Sequence, residues 1–510
     1  MLKKKNPSRN IIIVSFSTAL SRIFGLIRDM MFSRVIGISF VADAFFIALR
    51  LPNMFRRITA EGAFSAAFIP IFSKKYLEDK KDSIKFSEDI LYYMIISITL
   101  LAIVAQVIMP LVIYILAGGF SQNLTKLELA VSYSRLTLPY IIFISLGSLG
   151  SAIINSKGKF FVTSLTPILL NIFLIFVLLI PDLEIIFRGF LLSFAVSFSG
   201  IIHFLIIFYI LSREGFSLRF RKSKKNQSID NFSRLAWPQT ISGLAIQFNI
   251  LISGFIASFK EGGISILYYA ERLYQFPLAL IGISIGTVIL PHLASLNLNK
   301  QKNEVRSLLN DTLKIALVLI IPASMGLIFL SELIVSVIYE YGIFGIYEVG
   351  MVSSVLIGFS IGLPAYVLIR IFSSIFYSMS DTKNPLIYSL IAISINIFLS
   401  IPMFIYFGVV GISYATSISA WLHALIFYIK LKELALFSLT KEFILDIWRV
   451  LLISLVMGII VSYFSDQLSL FFPIISVVIL VFVGIAIYLI GLFFIGVYKK
   501  DDIKRFITNL

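Results

Sequence analysis

Residues 21–70, SRIFGLIRDMMFSRVIGISFVADAFFIALRLPNMFRRITAEGAFSAAFIP, decide how this chain is read. The stretch is apolar enough to lie in a membrane, yet it carries six arginines: Arg22, Arg28, Arg34, Arg50, Arg56 and Arg57. Only three acids stand against them, Asp29, Asp43 and Glu61. An Arg or Asp at mid-membrane costs roughly 2.5–3.5 kcal/mol even on mild insertion scales. Six lipid-facing arginines would therefore cost on the order of 15 kcal/mol. They must be paired, sit at the interface, or line a water-filled space. Pairing neutralises at most half of them, so the remainder marks a cationic site.

Around this stretch the composition is that of a membrane protein. Of 510 residues, 59% are hydrophobic and 14% charged, against about 25% charged in soluble domains. The apolar runs are long and unbroken, which indicates helices; a transmembrane barrel alternates over segments of about ten residues. The expected fold is all-α and polytopic, with about fourteen transmembrane helices at ~20 residues per span. The chain contains no cysteine, which excludes disulfide and thiolate chemistry. His203, His292 and His423 lie far apart and read as packed or interfacial residues rather than metal ligands. The net charge of +16 fits basic cytoplasmic loops and anionic lipid better than nucleic acid, which is not expected as a partner. MLKKKNPSR at the N-terminus looks like the start of a signal peptide. The charged segment behind it, without an A-x-A site, reads as a retained first span.

Basic loops alternate with loops poor in Lys and Arg. The N-terminus, 73–88, 156–159, 212–231, 295–310, 431–446 and the C-terminus are basic. The positive-inside rule then puts both termini of this multi-pass protein in the cytoplasm. A repeat runs through the chain at an offset of 225 residues. Leu138-Pro139 falls on Leu363-Pro364, Asn171-Ile-Phe-Leu on Asn396-Ile-Phe-Leu, and Pro52 on Pro277. A unit of six spans is even, so the halves share one topology, related by a pseudo-two-fold along the membrane normal. The expected organisation is an N-lobe over 1–211, a basic cytoplasmic linker over 212–231, a C-lobe over 232–430, and a two-helix extension over 431–510. Two such lobes are the architecture of an alternating-access carrier.

Residues seven apart share a helix face. Asp43, Arg50 and Arg57 form one charged row, with Glu61 following, and Arg22 and Asp29 form another. Arg22, Arg28 and Arg57 read as cavity-lining. Arg34, Arg50 and Arg56 read as interfacial side chains near helix ends. Arg272, in YYAERLYQFP, is the second-half candidate; cavity lining and a local ion pair with Glu271 are both open. Guanidinium groups bind phosphate oxygens in bidentate fashion and stay protonated, so the cluster points to a phosphate or pyrophosphate ligand. Asn249, Asn396, Ser400 and Thr416 suit either coordination of a monovalent cation such as Na⁺ or interhelical hydrogen bonding. No cofactor is otherwise expected. GISIG (282–286) and GFSIG (358–362) match a nucleophile-elbow pattern but lie inside apolar helices, without the strand–turn–helix context. There is no P-loop and no H-E-x-x-H, and an enzyme is not expected.

SRIFGLIRD (21–29), ADAFF (42–46), LPNMFRRITAEGAFSAAFIP (51–70), YYAERLYQFP (268–277), GTVILPHL (286–293) and FYSMSDTKNP (376–385) resemble the MurJ (MviN) family, bacterial lipid II flippases of the MOP exporter superfamily. The resemblance implies a carrier moving the undecaprenyl-pyrophosphate-linked peptidoglycan precursor across the membrane. It places substrate-binding roles on Arg22, Arg28, Asp43, Arg57 and Arg272, with Arg56 and Glu61 beside them, around a central cationic cavity. It assigns the two C-terminal spans to the lipid tail. It also implies membrane lipids and the cell-wall synthesis machinery as partners of a functional monomer. The alternative within the superfamily is an exporter of another polyprenyl-linked glycan or of drugs. Gln275 stands where some members carry an acid, and only Asn, Ser and Thr occupy the possible Na⁺ positions.

Overall fold

The structure, a computed structural model, describes residues 7–59, 63–223, 226–298, 301–379, 381–468 and 473–495. It is helical throughout, with no strand among the described residues. Ten helical segments there are long and apolar enough to cross a membrane. The two charged helices at the start of the chain are not among the ten. The chain divides into two compact units, one over 1–265 with 341–343 and one over 266–340 with 344–510.

The first unit holds α1 (Pro7–Val35), α2 (Phe40–Thr59), α3 (Ala63–Glu78), α4 (Lys80–Val107), α5 (Met109–Leu116), α6 (Leu124–Thr137), α7 (Tyr140–Ser156), α8 (Phe161–Leu165), α9 (Ile168–Leu179), α10 (Ile185–Arg213) and α11 (Gln227–Ala257). Short Asx side chains start three of these helices. The carboxylate of Asp79 accepts from Lys81 N at 2.9 Å, and the amide oxygens of Asn123 and Asn226 accept from Lys126 N and Ile229 N, each at 3.1 Å. Each satisfies an amide that the helix itself leaves without an acceptor. Prolines mark the breaks: Pro139 stands before α7 and Pro167 before α9, where a missing N–H costs nothing. On α3, phenylalanines four apart stack face to face. The centroids of Phe64 and Phe68, and of Phe68 and Phe72, are 5.4 Å apart in each case. They form a buried cluster with Phe86 of α4 and Phe216.

In the segment after α10, Phe216 is buried against Phe72 and Tyr76. Glu88 Oε1 accepts from Arg219 N at 3.0 Å, and Asn226 Nδ2 donates to Asp89 at 2.8 Å. The basic connection is thereby fastened to α4, and α11 packs on α2, α3, α4 and α5 within the same unit.

Helix α12 (Gly263–Pro277) begins in the first unit and continues in the second. Pro277 removes an N–H and crowds the carbonyl of the preceding turn. The chain answers with a π-helical turn over Leu278–Ile283 before α13 (Ser284–Leu298). There follow α14 (Lys302–Phe329), α15 (Ser331–Tyr339), α16 (Ile346–Ile361), α17 (Leu363–Ser378), α18 (Lys383–Phe407), α19 (Val409–Glu433), α20 (Lys441–Leu468) and α21 (Pro473–Ile495). The second core joins Leu313 and Leu317 of α14 to Ile371 and Ile375 of α17, Phe427 of α19 and Met457 of α20. The C-terminal pair belongs to this core: the Tyr488 hydroxyl donates to Val318 O at 2.6 Å. Its outer face stays apolar, with Phe493 71% and Phe494 81% exposed, which suits a hydrocarbon solvent rather than water.

Candidate functional site: charged groups inside apolar helices

Helices α1 and α2 carry the charge, and the first unit treats their acids and bases differently. On α1, Arg28 is buried. Its Nε and Nη2 donate to Asp29 Oδ1 at 3.0 and 2.6 Å, and its Nη1 donates to Asn171 Oδ1 on α9 at 2.9 Å. Adjacent residues on a helix do not normally face each other; the long Arg stem bends back to make the pair. Asn171 also donates to Ser21 O at 3.3 Å, so the cluster binds α9 to α1 at two levels. Arg22, on the same helix, is exposed.

Asp43 is the most deeply enclosed acid of the expected site, with no exposure. Its carboxylate accepts from Lys126 Nζ at 2.6 Å, Gly262 N at 2.9 Å, Ser265 N at 2.8 Å and Ser265 Oγ at 2.6 Å. Two of these donors are backbone amides around the first turn of α12. Asp43 therefore caps a helix from which it is more than two hundred residues removed, and it places a negative charge at the positive end of that helix. Lys126 is itself buried, with Nζ 4.3 Å from the centre of the Phe120 ring. Buried ions hold together when paired and hydrogen-bonded, and the Asp43 carboxylate is held in this way.

Glycines permit this closeness. Gly262 has φ +71°, and a Cβ there would lie 2.3 Å from Ile38. Gly119 donates to Ser258 Oγ at 2.9 Å, and a Cβ on it would lie 2.5 Å from the Ser258 carbonyl. Ile343 N donates to Arg34 O at 3.3 Å. These contacts tie together the loops at one end of the unit.

The remaining expected residues are placed as follows. Arg50 does not reach for an interface: half-buried, it donates from Nη1 to Ile250 O on α11 at 3.3 Å. Bare backbone at Gly254 makes room for its guanidinium. Arg34 is exposed, Arg56 half-buried and Arg57 exposed. Glu61 lies outside the described residues, as does the side chain of Asn249. In the second unit Arg272 is half-buried; its Nη2 donates to the Tyr268 hydroxyl at 2.8 Å and its guanidinium lies 4.9 Å from that ring. Ser400 donates to Asn396 Oδ1 at 3.1 Å, both buried on α18, whereas Thr416 donates to Ile412 O of its own helix at 2.8 Å. Asn171 and Asn396, one repeat apart, thus each accept a hydrogen bond in a buried polar cluster.

Sequence reasoning missed Lys126, Ser265 and Arg188. Lys126 sits in a segment read as a loop poor in basic residues; Asn123, an N-cap residue, signals that a helix begins there and that Lys126 lies on its first turn. Arg188 donates to Leu178 O and Ile180 O, closing the C-terminal end of α9. Among the described residues no group of three or more His, Asp or Glu side chains is placed to hold a metal.

Comparisons with known proteins identify the relatives of this chain. The family model described as lipid II flippase MurJ matches residues 32–482. A probable lipid II flippase MurJ of Rickettsia prowazekii is 34% identical, over 97% of this chain and 99% of that protein. Its counterpart in Rhizobium tropici is 32% identical, over 98% of this chain and 96% of that protein. A solved structure of lipid II flippase MurJ in an inward closed conformation superposes with a TM-score of 0.80 at 28% identity, covering 95% of this chain and 99% of that one. An inward-facing multidrug MATE transporter of the MOP superfamily, 15% identical with a TM-score of 0.68, shares the fold. On a match that runs from α1 into α21, this chain belongs to the lipid II flippase MurJ family.

Proposed function

We propose that the chain moves lipid II, the lipid-linked peptidoglycan precursor, across the bacterial cytoplasmic membrane by alternating access of two six-helix lobes. One observation carries the reading of the site. The acids of α1 and α2 are buried, Asp29 against Arg28 and Asp43 against Lys126, while Arg22 and Arg57 on the same helices reach the surface. Arg22 therefore presents a positive charge outward. That suits a pyrophosphate, whose oxygens guanidinium groups clasp in pairs. It does not suit a cationic drug. In this reading Arg22, Arg56, Arg57 and Arg272 receive the head group with Glu61 nearby, and Arg28 and Asp43 hold the helices that present them. Both termini are cytoplasmic, so the basic loops face the anionic leaflet. An outward-moving anion also gains roughly 2.3 kcal/mol per charge per 100 mV.

The test is lipid II accessibility at the outer surface of cells depleted of their own flippase. Wild-type chain restores access and growth. Arg22→Ala and Arg272→Ala insert normally and restore neither. Full restoration by both variants overturns the proposed site; failure of the wild-type chain overturns the function.

A further inference from the structure

Two membrane-crossing segments, Leu124–Ser156 and Ile346–Ser378, break at the same point of the repeat. In the first unit Pro139 separates α6 from α7. In the second, Pro364 stands at the start of α17, directly behind α16. A proline has no N–H to give the carbonyl four residues back, and a bare carbonyl is costly in hydrocarbon. The carbonyls deprived in this way are Arg135 O and Ser360 O. Gln106 Nε2 of α4 donates to Arg135 O at 2.8 Å, and Ser324 Oγ of α14 donates to Ser360 O at 2.6 Å. The next carbonyl in each half is taken as well. Leu136 O accepts from Ser197 Oγ of α10, and Ile361 O accepts from Trp421 Nε1 of α19 at 3.0 Å. The two halves reach this same pair of bonds from different positions. At the repeat offset Gln106 and Ser197 fall on Ser331 and Leu422, whereas the second half uses Ser324 and Trp421.

A static kink needs the same repair; the surroundings of the Pro364 joint say more. Both of its donors, Ser324 and Trp421, line an apolar cavity of about 550 Å³ bounded by α14, α17, α19 and α20, and Ile361, Pro364 and Leu368 line it too. Protein interiors hold few voids larger than a water molecule, so a joint that borders a cavity of this size changes its angle without first displacing a packed core. Another face of α17 is packed solid, with Leu363, Val367 and Ile371 fully buried. The two donors also suit release: a hydroxyl and an indole N–H give up their bonds by side-chain rotation, without unwinding a helix turn. We infer that the Pro364 joint is a hinge within the second unit, latched in the present bend by Ser324 and Trp421, on which α17 swings into the cavity during the transport cycle. Pro139, latched by Gln106 and Ser197, is its counterpart in the first unit. The inference rests on the alternating-access reading above, and it adds a bend inside a unit to that motion.

In the full-length chain carrying Trp237→Phe and Trp448→Phe, Trp421 is the one tryptophan left, and its fluorescence reports the latch. Farnesyl pyrophosphate, a short isoprenoid with a diphosphate, is added to the purified protein as probe, with farnesol as control. Release of the Nε1 bond is expected to move the emission to shorter wavelength with farnesyl pyrophosphate and not with farnesol. Pro364→Ala, which gives Ser360 O a backbone donor, is expected to abolish that shift. In cells depleted of their own flippase it is expected to lose lipid II access, while its thermal midpoint stays at or above that of wild type. Leu368→Phe narrows the cavity without touching either latch and is expected to behave in the same way. Full lipid II access in both variants, or an unchanged Trp421 emission in a chain that transports, overturns the hinge and leaves the flippase reading intact. Loss of access together with a fall in thermal midpoint in both variants makes Pro364 a structural break only, and the hinge fails. Failure of the wild-type chain to restore access overturns the flippase reading, and the hinge's part in the cycle with it.

Discussion

The two ends of the first unit are each held by lysine and carboxylate, and they show what burial does to the same chemistry. At one end Asp43 meets Lys126 with both side chains almost wholly enclosed, and three further donors complete the carboxylate. At the other, Glu214 is gripped by Lys157 at 2.8 Å and by Lys159, at a part-exposed edge. The first arrangement cannot be relaxed by solvent, so every lost partner leaves an uncompensated ion. The second exchanges its partners for water at little cost. One end is a lock that must be broken whole; the other is a clasp that loosens by degrees.

Asp43→Ala should be the most damaging change, because Lys126 is then buried with no counter-ion and α12 loses its cap. A loss of about 3–5 kcal/mol is expected, measured by denaturant titration in detergent. A loss under 1 kcal/mol would show that water reaches the site and erase the contrast between the ends. Gly262→Ala comes next. It forces a left-handed backbone on Ala and drives a methyl into Ile38, for about 1–3 kcal/mol; the thermal midpoint should fall with no dependence on salt. Asn171→Leu removes one acceptor from Arg28 and should cost about 1–2 kcal/mol, with the remaining Arg28–Asp29 pair keeping α1 folded by circular dichroism. The smallest effect belongs to Glu214→Gln, under about 1 kcal/mol and shrinking further in high salt. Hydrogen bonds from Lys157 and Lys159 pull the Glu214 carboxyl from 4.5 down to about 2. Its contribution is complete above pH 4.5 and fades as pH falls toward 2, where the carboxyl takes up a proton. Hydrogen exchange of the 214–219 amides across that window measures it; protection that persists unchanged at pH 2 would place the clasp elsewhere.

Much of the fold was legible because its signals are local. Long apolar runs announced helices. The charge anomaly in α1 and α2 was legible for the same reason. What each charge does was not. Lys126 lies 83 residues from Asp43, and no periodicity couples positions so far apart. Counting six bases against three acids therefore assigned Asp43 to the arginines beside it, when its ionic partner is a lysine. Arg50 read as interfacial because it was placed near a helix end, and only the glycine on α11 opposite it reveals that it turns inward.

The fastening of the segment after α10 bears on how the chain tolerates being cut. Anchored by Arg219 N on Glu88 and by Asn226 on Asp89, the stretch between them begins and ends on one helix. A protease nick within it would leave α11 seated on α2 to α5, so the two polypeptides should co-purify. The gene could then be divided at this point and its halves expressed separately, to reassemble along the α11 surface.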